Sequence, residues 1–214
     1  MKLSFRSLVL VLLLCPTLAA AQGLKPLELP APQTSGGKPL LEALKDRHSS
    51  REFSPERLPA QVLSNLLWAA FGVNRPDSGK RTAPSAMNWQ EIALYVATGE
   101  GLYVYDAKGN RLNPVLAEDV RAATGTQSYV KDAPVNLVYV ADLSKTGRTN
   151  PEEANTFTAA DTGFIAQNVY LFCASEGLAV VVRGSINRPA LAKLMNLKPD
   201  QKIILAQTVG YPKK

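Results

Sequence analysis

One histidine and two cysteines are all that 214 residues offer for imidazole or thiol chemistry. A single histidine rules out a zinc site built on paired imidazoles, and no Ser-His-Asp constellation or Cys-x-x-Cys spacing is available. Basic residues outnumber acidic ones, for a formal net charge of +6, yet no run of five or more like charges occurs, so a nucleic-acid partner has little support. Internal repeats and low-complexity tracts are absent too. The one long apolar run, Leu8–Leu14, is too short for an ordinary membrane anchor.

That run has a function of its own. Lys2 and Arg6 precede it and Ala19-Ala20-Ala21 follow it, the three-part layout of a secretory signal peptide cleaved near Ala21. Export to the periplasm or outside the cell is the expectation, with no stable membrane anchor. Cys15 follows the bulky Leu14 and does not fit a lipoprotein site, so cleavage removes it and leaves Cys173 alone. A disulfide within the mature chain is then impossible, and stability rests on core burial, for which one domain of this size suffices. No twin-arginine pair stands near the start, which implies export of the unfolded chain.

Residues 22–37 are rich in Pro and Gly and read as an extended arm or linker; residues 38–214 read as one domain. Leu40, Leu41 and Leu44 give a short helix ending near Arg47. Ser54-Pro55 is a helix-start signal, with a second proline at Pro59, and Val62, Leu63, Leu66, Leu67, Ala70 and Phe71 then follow the helical pattern to Gly72. On that helix Trp68 reads as core. Ile92–Ala97 and Leu102–Tyr105, joined by Thr98-Gly99-Glu100-Gly101, form a hairpin; Leu116–Ala123 reads as a short helix stopped at Gly125. Val135–Ala141 looks like an interior strand. Ala159–Ser175 is a helix whose small residues Ala159, Ala160, Gly163 and Ala166 permit close helix approach, within the protein or across a dimer. Cys173 on it reads as a packed thiol. A buried strand Leu178–Val182, a short helix Pro189–Leu194 and a last strand Ile203–Val209 complete an α+β sandwich: a mixed central sheet with helices packed on both faces.

Two polar stretches are left over. Arg47-His48-Ser49-Ser50-Arg51 sets two guanidinium groups and two hydroxyls just after a short helix. Pro84-Ser85-Ala86-Met87-Asn88-Trp89-Gln90 is a loop with a hydroxyl, two carboxamides and free backbone amides, feeding the strand Ile92–Ala97. In that order, Arg-x-Ser-x-Arg and then Pro-Ser-x-x-Asn-x-Gln, the pair resembles the FMN-dependent nitroreductase family, and the resemblance covers roughly Leu40–Pro212.

The resemblance implies a nitroreductase-like α-β-α sandwich and a flavin site made of named residues. Arg47, Ser49 and Arg51, with the backbone of His48, would hold the FMN phosphate and ribityl chain; guanidinium forks and hydroxyls suit a phosphate dianion. Pro84, Ser85 and Asn88, and beyond them Gln90, would lie against the isoalloxazine ring from the neighbouring subunit of a homodimer. Gln127 would meet the flavin's pyrimidine edge, and the backbone of Arg183, Gly184 and Ser185 would face the ring near N5 and O4. Many members send basic residues back to the phosphate from a long C-terminal tail, whereas this sequence ends at Lys213-Lys214. The implied activity is ping-pong hydride transfer at flavin N5 with a small-molecule substrate, reducing nitro or quinone compounds or oxidising a small organic molecule. Two alternatives stand beside it: a dehydrogenase like the flavin enzymes that oxidise azoline rings in modified peptides, and an exported flavin-binding protein without turnover. Outside the cytoplasm NAD(P)H is not expected, so the electron donor is open.

Overall fold

The computed structural model describes residues 23–147 and 150–214. The signal expected over residues 1–21, with Cys15, lies outside the described residues. In chain order the elements are β1 (Leu27–Glu28), α1 (Leu40–Asp46), α2 (Ala60–Phe71), β2 (Val73–Arg75), β3 (Lys80–Arg81), β4 (Ile92–Ala97), β5 (Leu102–Asp106), β6 (Arg111–Leu116), β7 (Val135–Asp142), α3 (Pro151–Glu176), β8 (Ala179–Arg183), α4 (Arg188–Leu194) and β9 (Gln201–Gly210). Seven strands form one sheet in the order β1-β6-β5-β4-β7-β9-β8, and β2 pairs with β3 in a small ribbon.

The two central strands, Ile-Ala-Leu-Tyr-Val-Ala and Val-Asn-Leu-Val-Tyr-Val-Ala-Asp, are apolar almost throughout because helices cover both faces of the sheet. Period-two alternation sorts their side chains. Leu94, Val96, Leu137 and Tyr139 face the core made with α2 and α3, while Tyr95, Ala97, Val138 and Val140 face the layer made with Leu191 of α4. Leu63, Leu66, Leu67, Ala70 and Phe71 of α2 are buried at helical spacing. Leu66 and Leu67 are wholly inaccessible, each worth about 1.5–3 kcal/mol relative to exposure. Helix α3 spans the molecule. The Asn150 side chain accepts the Glu153 N–H at 2.9 Å, Pro151 opens its first turn, and Gly177 closes it in the left-handed conformation.

The expected α+β sandwich with helices on both faces is the observed one, but the sheet is not mixed. Every strand pairing among the described residues is antiparallel. The α3 crossover does return the chain parallel to β7, as β8, and β9 then inserts between the two, antiparallel to both. Two local expectations also fail. Leu116 ends a strand instead of starting a helix, since Pro114 and Leu116 pair with Tyr103 and Leu102; only a 3-10 turn, Arg121–Thr124, follows before Gly125. Pro114 is tolerated because β1 pairs only with Arg111 and Leu112, leaving its far side unpartnered. Helix α2 starts at Ala60, not at Ser54-Pro55, because Ser54 N–H is bound to Tyr211 O at 2.9 Å and Phe53 bridges Pro212 in extended pairing. In the segment before α1, Leu27–Glu28 join the sheet through β6 and Leu29 enters the core.

Candidate active site

The Arg47–Arg51 element runs along the edge strand β8, held by the Ser50 N–H to Val180 O bond at 2.9 Å. Tyr170 of α3 organises it. Its hydroxyl takes the Val182 N–H at 2.9 Å and shares a 2.8 Å hydrogen bond with Ser49 Oγ, and its ring centroid lies 5.2 Å from the Arg47 guanidinium. The neighbouring Asp46 carboxylate is taken by Lys38 at 2.7 Å, and Arg47 has no acid partner among the described residues. Arg51 is exposed and likewise unpaired among the described residues. His48 is exposed with Nδ1 2.8 Å from Asp46 O, which leaves its backbone for a ligand. The chain end comes to the same edge: Lys213 N–H reaches Glu52 O at 3.4 Å, beside Arg51. Two uncommitted guanidiniums with hydroxyls and a terminal lysine nearby make a donor set suited to a dianion.

The Pro84–Gln90 loop is strained. Met87, Asn88 and Gln90 all have positive φ, at 50°, 57° and 49°, a conformation costing a side-chain-bearing residue about 1–2 kcal/mol. Hydrogen bonds repay this. Ser85 Oγ accepts the Gln90 N–H at 2.8 Å and donates to Glu91 Oε2 at 3.2 Å; Ala86 N–H binds Asp161 Oδ2 of α3 at 2.8 Å. Gln90 is spent within the protein, its Oε1 on Arg81 at 2.8 Å and its Nε2 on Gly79 O and Asn88 Oδ1. Pro84, Met87 and Asn88 stay exposed.

Gln127 stands against the Arg183–Ser185 loop, where Thr126 N–H binds Ser185 O at 3.1 Å. Arg183 turns its side chain inward, to Thr208 Oγ1 at 2.9 Å, Thr124 O at 2.8 Å and Asn136 Oδ1 at 2.9 Å. Burial of this guanidinium lowers its pKa to about 10. A Cβ on Gly125 would stand 1.9 Å from its Nη1, so only glycine fits above it. Gly184 and Ser185 remain exposed and can offer backbone to a flat ligand. Gln127 Oε1 is buried with no partner among the described residues.

Within one chain the structure brings Arg47, His48, Ser49 and Arg51 to the same sheet edge as Arg183, Gly184 and Ser185. It does not bring Pro84, Ser85 and Asn88 to them. The two groups hang from the same helix at Asp161 and Tyr170, about 13 Å apart at 1.5 Å per residue. Three open cavities, of about 510, 430 and 580 Å³, are each lined by at most one of the two groups. Sequence reasoning missed Glu91, Asp161 and Tyr170. The only signal for Glu91 was an acid at the head of an apolar run, and Asp161 and Tyr170 carried none beyond lying on a helix. Cys173 is a fully buried thiol whose pKa burial pushes well above its ordinary value, a packed group as expected.

The antiparallel sheet between helix layers thus carries a basic edge, a glycine loop and a polar strained loop. The chain belongs to the nitroreductase family, whose profile matches residues 44–211. It is similar to a provisionally assigned nitroreductase of Ralstonia eutropha JMP134 of known structure, with 44% identity, 92% of this chain and 93% of that chain covered, and a TM-score of 0.86. A provisionally assigned nitroreductase of Methanocaldococcus jannaschii is 29% identical over 169 residues, covering 74% of this chain and 85% of the relative. An NADPH-flavin oxidoreductase of Vibrio harveyi is 30% identical over 96 residues, 41% of this chain and 40% of the relative.

Proposed function

We propose that the protein is an exported, homodimeric, FMN-dependent oxidoreductase. FMN supplies hydride acceptance and donation at N5 when bound. The protein's share is binding, orientation and charge. Arg47 and Arg51 hold the phosphate, with Ser49 fixed beneath it by Tyr170; Gly184 and Ser185 offer backbone to the ring; Pro84, Ser85 and Asn88 reach it from the second copy.

The observation that carries this reading is Gln127 Oε1. A buried acceptor without a partner costs about 1–3 kcal/mol, and this one adjoins the Arg183–Ser185 loop, where the N–H of a ligand's pyrimidine edge would satisfy it. The need for a second copy is supported by the separation of the two elements and by the exposed apolar residues Leu40, Leu41, Phe157 and Phe164 on α1 and α3. Gly163, on the exposed side of α3, has open space around it, as a close helix contact between copies requires. The positive edge at Arg47, Arg51 and Lys213 favours an anionic cofactor.

The test is anaerobic. Holoprotein reduced with dithionite and freed of the reductant should regain its yellow colour on addition of a benzoquinone or a nitroaromatic. Failure to recolour would leave a flavin-binding protein without turnover.

A further inference from the structure

Glu91 is fully buried between the Pro84–Gln90 loop and β4, and the function proposed above makes no use of its acid. Its Oε2 accepts the Ser85 hydroxyl, and its Oε1 has no partner among the described residues. Asp161, 3% exposed, stands close by: its Oδ2 takes the N–H of Ala86, the residue next to the Ser85 that Glu91 holds. The two acids therefore fasten the loop on both sides of its strained residues: Asp161 directly at Ala86, Glu91 through Ser85 to Gln90. Of the three residues with positive φ, only Asn88 is of a type that favours the left-handed region; Met87 and Gln90 depend on these fastenings.

Two carboxylates in a dry site cannot both ionise without large cost. A single proton on Glu91 gives the pair one donor, removes one of the two buried charges and leaves Oε2 free to accept from Ser85. Burial, and after it the Asp161 charge, hold the Glu91 carboxyl above its usual range. Among the described residues no cation forms an ion pair with either carboxylate. Arg81, the nearest in sequence, is committed to Gln90 Oε1 and Phe71 O. From β7, Asp142 offers Glu91 only its backbone N–H, to Glu91 O at 3.0 Å, and its carboxylate accepts from Ser144.

We propose that Glu91 and Asp161 form a one-proton carboxyl latch that positions the Pro84–Gln90 loop. With the proton in place the loop is fastened at Ser85 and Ala86; without it, two facing carboxylates repel and the loop loosens. As a device for cofactor binding, the latch rests on the reading of this loop as part of the flavin site. The direction of its pH dependence follows from linkage. A carboxyl whose folded-state pKa is raised contributes stability that is fully present below its unfolded value and is lost as pH rises through the folded value. If only the latched loop accepts FMN, the dissociation constant rises about tenfold per pH unit above that point.

Infrared spectroscopy of the full chain across pH tests this, with Trp89 emission followed in a Trp68→Phe background. Trp89 lies in the loop and packs edge-on against Phe157 at 5.8 Å. A protonated-carboxyl C=O band should persist above the pH at which exposed carboxyls ionise and disappear as pH is raised further, in step with a change in Trp89 emission. Glu91→Gln keeps a donor toward Asp161 and should abolish both transitions and flatten the pH dependence of FMN affinity. Asp161→Asn should move the transition to lower pH. Absence of the band above the pH at which exposed carboxyls ionise, or a Glu91→Gln protein whose emission titrates like the wild type, overturns the latch, as does FMN affinity unchanged across the transition. A wild-type protein that shows the band and the emission change but binds no FMN would sink the flavin reading and leave the latch standing.

Discussion

The Tyr170 hydroxyl joins Ser49 of the basic element to Val182 of the strand that leads into Gly184, while its ring lies beside Arg47. Removing it with Tyr170→Phe leaves the Val182 N–H without its acceptor and frees Ser49. Stability should fall by about 1–2 kcal/mol, read as a lower urea midpoint with unchanged slope, and FMN affinity should drop several-fold in a flavin-fluorescence titration. An unchanged midpoint would mean that water replaces the hydroxyl fully. At this scale the sequence was readable where function needs polar groups in loops. Arg47, Ser49, Arg51, Pro84, Ser85 and Asn88 stand out because no packing argument accounts for them. Glu91, Asp161 and Tyr170 were not readable: each sits within a strand or helix pattern, and no sequence period tells which buried acid faces which loop. Gln90 was read as a possible contact to the ring, and the structure spends its amide on Arg81, Gly79 and Asn88 instead.

Helix α3 carries both halves of the site, Asp161 to one and Tyr170 to the other, so its integrity sets their spacing. Its N-cap is a single side-chain bond from Asn150. Asn150→Ala should cost about 1 kcal/mol, seen as a fall in melting temperature of a few degrees, with FMN affinity unchanged because the cap lies far along the helix from Tyr170. Loss of flavin binding in this variant would show that the helix frays as far as the site. The strands β4, β7, β8 and β9, the hairpin and α2 were legible because continuous apolar runs and 3.6-residue spacing say where burial must fall. The direction of the sheet was not, since β9 inserts between β7 and β8 through contacts remote in sequence. Leu116–Ala123 misled because three apolar residues around Pro114 fit a helix start as well as a strand end.

For the molecule as a whole, the exposed apolar groups of α1 and α3 matter most. Leu40, Leu41 and Leu44 keep helical spacing yet remain 63%, 78% and 45% exposed, so the pattern that predicted a helix did not predict what it packs on. A second copy is the cover we propose. Phe164→Glu places a charge on this face at a position already 47% exposed, so the chain should still fold by circular dichroism. Sedimentation should show dimer for the wild type and monomer for the variant, with FMN binding lost together with the dimer. A monomeric variant that keeps its flavin would confine the site to one chain.

The central claim, that the basic edge at Arg47 and Arg51 holds FMN, is tested most directly by the visible absorption spectrum of protein incubated with FMN and then desalted. The account expects a retained flavin spectrum in the wild type and its loss in Arg47→Ala/Arg51→Ala with unchanged far-ultraviolet circular dichroism. A colourless wild-type protein whose melting temperature FMN does not raise would contradict it.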